Sequence, residues 1–107
     1  VFVAPIESSA EGTIIIDDGA VNAIVEKGKS LLPGGITRVK GEFGEGSPVE
    51  FSNADNEVIG VGLVNYSAAD ITKIMGLKTS RIKEKLGHKP YDEVIHRDNL
   101  ALTGECD

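Results

Sequence analysis

Short runs of β-branched and aliphatic residues, each cut off by glycine, proline or aspartate, set the pattern of this chain. Gly12-Thr13-Ile14-Ile15-Ile16 is too short for a helix and suits a buried strand, which Asp17-Asp18-Gly19 then stops. Asp18 is a good N-cap for a helix over residues 20–27. There Val21, Ile24 and Val25 recur at i, i+3 and i+4, and Gly28 supplies the stop. After the apolar pair Leu31-Leu32, the turn Pro33-Gly34-Gly35 leads into strands over 36–40, 49–52 and 58–66. Gly60 and Gly62, two apart, suit a bent strand or a close backbone approach. Ser67-Ala68-Ala69-Asp70 opens a helix through Ile71, Ile74 and Met75 that Gly76 ends. Thr79-Ser80 opens another with Ile82 and Leu86, closed by Gly87, and a last strand runs over 94–102. The core expected from this pattern is Val21, Ile24, Leu31, Leu32 and Val64 against Ile14 and Ile16. Short strands at turn-marked intervals with interposed helices predict a small closed or partly closed barrel, mainly β with flanking helices.

The length of 107 residues fits one domain, and no apolar run approaches the roughly 18 residues of a membrane helix. Residues 1–11 read as a linker entering the domain, residues 12–102 as the domain itself, and residues 103–107 as a C-terminal tail. The opening Val1-Phe2-Val3-Ala4-Pro5 lacks the basic and long apolar regions of a secretory signal, and Cys106 has no bridging partner. Both features lead us to expect a cytoplasmic protein with no membrane partner.

Charge alters the picture in one respect. The net charge of −6 opposes broad binding to nucleic acid or anionic membrane. Yet within residues 73–89, Lys73, Lys78, Arg81, Lys83, Lys85 and Lys89 stand against Glu84 alone, a local balance of +5 that leaves −11 on the other ninety residues. A partner is therefore offered a basic face on an acidic protein, although a solvated helix surface accounts for the same residues.

Three short strings imitate catalytic motifs. Gly28-Lys29-Ser30 copies the tail of a phosphate-binding P-loop, but residue 23 is alanine where the leading glycine belongs, and the string ends a helix instead of opening one. His96-Arg97-Asp98 copies the start of a protein-kinase catalytic loop, but position 103 is threonine where the metal-holding asparagine belongs. His88 and His96 are the only histidines and lack the companions of a zinc site; Asp17-Asp18 and Asp92-Glu93 do not have calcium-loop spacing. No catalytic, metal-binding or cofactor-binding residue is expected. What remains is a turn at one helix end, with Gly19, Lys27, Lys29 and Ser30 as candidate contacts for RNA or a protein partner. Lys83 and Lys85 are a second candidate set on the basic segment.

Thr13-Ile14-Ile15-Ile16-Asp17-Asp18-Gly19-Ala20 followed by Lys27-Gly28-Lys29-Ser30-Leu31-Leu32-Pro33-Gly34-Gly35-Ile36 resembles the opening of a PUA domain. Gly41-Glu42-Phe43 and Gly62-Leu63-Val64-Asn65-Tyr66-Ser67 resemble its middle. The string Tyr91-Asp92-Glu93-Val94-Ile95-His96-Arg97-Asp98-Asn99-Leu100 is similar to the closing segment of the glutamate 5-kinase (gamma-glutamyl kinase) family, whose C-terminal third is a PUA domain. The resemblance implies a six-stranded β pseudo-barrel with flanking helices. It also implies a parent enzyme, expected to be a homo-oligomer, that transfers the ATP γ-phosphate to L-glutamate with magnesium at the start of proline synthesis. The ATP, magnesium and glutamate sites of that family lie in an N-terminal amino-acid kinase domain missing here. One departure is Gly46-Ser47-Pro48-Val49, where PUA domains often have Gly-Asp; Pro48 cannot donate to a ladder, so an edge or bend is expected there. Two classes of function follow for the module: a regulatory or interaction domain, or an RNA-binding one. Two tyrosines, three phenylalanines and no tryptophan, with the acidic charge, disfavour the second.

Overall fold

The computed structural model describes residues 11–87 and 91–102, so all of the expected linker except Glu11, and the whole expected tail, lie outside the described residues. Strand β1 (Gly12–Ile16) leads into helix α1 (Asp18–Lys27), a 3-10 turn (Pro33–Gly35) and strand β2 (Ile36–Gly41). Strands β3 (Pro48–Ser52) and β4 (Val58–Leu63) follow. Helix α2 (Ala68–Ile74), a 3-10 turn (Thr79–Arg81) and helix α3 (Ile82–Leu86) come next, and a 3-10 turn (Arg97–Asn99) enters strand β5 (Leu100–Leu102). The strands form one mixed sheet in the order β2-β1-β3-β4-β5. Only β1 and β3 run parallel. The described residues thus hold five strands, one fewer than the six implied by the resemblance, and the mainly β architecture with flanking helices stands.

Several boundaries differ from the pattern reading, each for an identifiable hydrogen-bonding reason. The cap of α1 is Asp17, not Asp18: its carboxylate accepts from Ala20 N at 2.8 Å, while its own N–H donates to Gly35 O at 2.9 Å. The expected strand 58–66 ends at Leu63, because Val64 pairs with the loop before β3 and Asn65 N turns to Val94 O at 2.7 Å. The expected strand 94–102 is split. His96 Nδ1 accepts from Asp98 N at 3.1 Å and Asn99 N donates to His96 O at 2.8 Å, which makes a turn before β5. Pro48 sits in a central strand, not at an edge; as the first residue of β3 it costs the ladder little.

The core lies between the sheet and the helices, where Ile14, Ile16, Val49 and Phe51 meet Ile24, Ile71, Ile74 and Ile82. Of the expected core, Ile14, Ile16, Ile24, Leu31 and Val64 are buried. Val21 is half-buried against that cluster, Val25 is exposed, and Leu32 is 46% exposed. Leu31 and Leu32 differ because the backbone is extended there (Leu32 φ −101°, ψ 152°), so consecutive side chains point to opposite sides. Tyr66 is fully buried, its hydroxyl donating to Tyr91 O and accepting from Tyr91 N at 3.2 Å, which ties the closing segment to the core.

Gly60 allows a close approach within the sheet. A Cβ there would lie 2.5 Å from Ala101 O and 2.6 Å from the Phe51 ring. Gly60→Ala should therefore cost about 1–3 kcal/mol, the range for forcing atoms into a packed site, as read by urea unfolding. Gly44→Ala, with nothing within 4 Å, is the matched control. A Gly60→Ala loss within about 0.5 kcal/mol would contradict the close approach.

Candidate functional site

Helix α1 and the chain that follows it enclose a shallow groove of about 340 Å³. Ala20, Ala23 and Lys27, spaced i, i+3 and i+7, form one wall. Lys29, Ser30, Leu32, Gly34 and Gly35 form the other. The walls sit close because Gly35 has no side chain: a Cβ there would lie 2.5 Å from Ala20 Cβ. Leu32 is held in the opening by the burial of its neighbour. Leu31 N donates to Ile95 O at 2.9 Å and Val94 N donates to Leu31 O at 2.7 Å, so the extended chain has to turn Leu32 outward.

Electrostatically the groove is a helix C-terminus with two lysines. Gly28 takes the left-handed conformation (φ 64°), and its N–H and that of Lys29 both turn back to Ala23 O, the latter at 3.0 Å. Those two N–H groups are spent on the helix end and are not offered to a phosphate. The negative end of the helix dipole adds to this by favouring cations, and Lys27 stands in the last turn. Ser30 Oγ accepts from Arg97 N at 2.9 Å, which fastens the groove to the closing segment.

Of the candidate contacts, Lys27, Lys29 and Ser30 come together on this groove. Gly19 does not line it; it lies in the first turn of α1, exposed, at the far end of the helix. Lys83 and Lys85 lie on α3 and do not line the first groove; only Lys85 lines the second groove, of about 510 Å³, with Lys73, Met75, Leu77, Arg81 and Glu84. Arg81 and Glu84 pair across 2.5 Å. Ala20 and Ala23 were not among the candidate contacts, although their spacing with Lys27 is a usable signal, whereas Met75 and Leu77 carry no sequence signal for their groove. Among the described residues, no group of three or more His, Cys, Asp and Glu side chains is placed to hold a metal ion, and no helix is long and apolar enough to cross a membrane.

Comparison with known proteins bears on the family and the fold. The PUA domain family model matches residues 12–86. The chain is 60% identical over 93 residues to a protein named glutamate 5-kinase from Syntrophus aciditrophicus, covering 87% of this chain and 24% of that protein. It is 53% identical over 93 residues to another of that name from Carboxydothermus hydrogenoformans, covering 87% and 25%. The chain thus spans about a quarter of the length of the curated relatives it matches. Among solved structures, a PUA domain from Aeropyrum pernix K1 superposes with a TM-score of 0.56 at 21% identity, over 83% of this chain and 45% of that one. A chain of the archaeal box H/ACA sRNP Nop10-Cbf5 complex superposes with a TM-score of 0.52 at 27% identity, over 56% and 19%.

The outward Leu32 and inward Leu31 give opposite expectations for one chemical change. Leu31→Ala should cost about 2–5 kcal/mol, as for other buried leucines. Leu32→Ala should stay within about 0.5 kcal/mol, as for surface positions. Denaturant melts of the two variants decide this, and equal losses would mean that the two leucines share one environment.

Proposed function

Because this chain belongs to the PUA domain family, we propose that it is the C-terminal PUA module of a glutamate 5-kinase, working by interaction and regulation rather than catalysis. The parent enzyme on this reading is cytoplasmic and homo-oligomeric. It transfers the γ-phosphate of magnesium-bound ATP to the side-chain carboxylate of L-glutamate, giving L-glutamyl 5-phosphate for proline synthesis. The observation that carries the assignment is the 60% and 53% identity to two proteins of that name, each about four times the length matched. The kinase chemistry then belongs to an N-terminal amino-acid kinase domain that precedes this module.

For the module itself, an apolar groove with Leu32 in its opening supports a protein contact. RNA binding is the second reading, favoured by the convergence of Lys27, Lys29 and Ser30 on one groove and by the similarity to a chain of an sRNP complex. Against it stand the net charge of −6 and the N–H groups of Gly28 and Lys29, which are spent on the end of α1.

Removing residues 12–102 from the full-length parent should leave glutamate phosphorylation in place while changing proline inhibition or oligomeric state. Steady-state kinetics and light scattering on the two proteins measure this. Loss of all activity in a folded truncated enzyme would place catalytic groups in the module, and no change in inhibition or assembly would remove the regulatory role.

In a gel-shift series with structured RNA at about 150 mM salt, the isolated chain should give no band at micromolar concentration. Micromolar binding abolished by Lys27→Glu with Lys29→Glu would establish the RNA reading instead.

A further inference from the structure

We propose that the Leu32 groove and the Met75–Leu77 groove form one docking surface, and that its occupant is an acidic, amphipathic protein segment. This rests on the interaction-module reading and names the chemistry of the partner.

The two grooves are joined. Gly76 N donates to Pro33 O at 2.7 Å, and a Cβ on Gly34 would lie 3.3 Å from Leu77 O. Gly34 lines the first groove and Leu77 the second, so a residue without a side chain forms the seam between them. Across that seam runs an apolar line: Leu32 in the open, then Leu77 and Met75 half-buried. Lysines stand along its margins, Lys27 and Lys29 on one groove, Lys73 and Lys85 on the other. All four are exposed, and no ion pair engages them among the described residues, whereas Arg81 is already paired with Glu84.

Charge selects the occupant. The segment containing Lys73 and Lys85 is strongly basic while the chain as a whole is at −6. An acidic partner is therefore attracted to this face and repelled from the rest. A polynucleotide satisfies the charge but not the floor. No aromatic side chain lines either groove, so bases have no stacking platform, and the N–H groups at the end of α1 are already used. Apolar side chains of an amphipathic segment can bury Leu32, Leu77 and Met75 while its carboxylates reach the lysines.

The test titrates this chain by fluorescence anisotropy with three probes of about 14 units each, a length that spans several anchor positions. They are a labelled peptide with leucines at i, i+3, i+4 and i+7 among glutamates, poly-glutamate, and single-stranded RNA. The leucine-bearing peptide should bind at least about tenfold tighter than poly-glutamate, and Leu32→Ser should lose about tenfold, as expected for an anchor residue. Lys29→Glu and Lys85→Glu, in separate grooves, should each weaken that same peptide. All three positions are exposed, and each variant is used only at an unchanged melting temperature, with Lys29→Ala and Lys85→Ala as milder replacements.

The proposal is overturned by absence of saturable peptide binding, by indifference to Leu32→Ser, by dependence on only one of the two lysines, or by RNA binding tighter than the peptide. Any of the first three, together with changed inhibition or assembly in the truncated parent, leaves the interaction module standing and removes only this surface.

Discussion

The clamp on Leu31 decides more of this structure than any other single interaction. Its N–H and carbonyl are both taken by the closing segment, through Ile95 O and Val94 N, although more than sixty residues separate them in sequence. A chain held in extended form at that point has to send Leu31 one way and Leu32 the other. The inward leucine completes the core with Ile95, Val94 and Ile24. The outward one lines the groove, so a core residue and a groove residue are neighbours in one short segment.

The same clamp determines what the lysines can do. Helix α1 ends where the clamped segment begins, and the N–H groups of Gly28 and Lys29 close that end on Ala23 O. A phosphate at this place would meet the negative end of a helix whose Gly28 and Lys29 N–H groups are already used. Lysine tails also cover apolar surface with their methylenes while keeping the charge in water. Beside Leu32, Ala20 and Ala23, that mixed character suits a partner with both carboxylates and apolar side chains.

Much of this fold was legible in the sequence because its signals are local. Asp17-Asp18-Gly19, Gly28, Pro33-Gly34-Gly35, Ser67 and Gly87 mark starts and stops whose causes lie within a few residues, and the structure uses each as a start or a stop. Where strand limits were misread, a distant partner took over part of a locally ambiguous stretch. Residues 94–102 alternate well enough for one strand, but Leu31 captures the first part and His96 caps a turn in the middle. Leu31 and Leu32 are identical by composition, and only the position of Ile95 separates them. The convergence of Lys27, Lys29 and Ser30 followed from their closeness in sequence. The seam at Gly34 and Leu77 did not, since it depends on how α2 docks after the sheet has formed.

The closing string that carries the most specific resemblance is, physically, structural material. Val94 and Ile95 are fully buried, His96 caps a turn with its ring nitrogen, and Arg97 donates its backbone N–H to Ser30. His96-Arg97-Asp98, which copies the opening of a kinase catalytic loop, serves here as a turn that aims the chain into β5. The consequence is a division of labour between inner and outer residues. Substitutions at Leu31, Val94 or Ile95 remove core packing, and one at Tyr66 also removes the hydroxyl that ties Tyr91, so all four act through stability. Leu32, Lys29 and Lys85 are exposed groove residues, so on the docking proposal substitutions there act through recognition. A surface arranged this way can change partners by exchanging a few exposed side chains while the clamp beneath it stays the same.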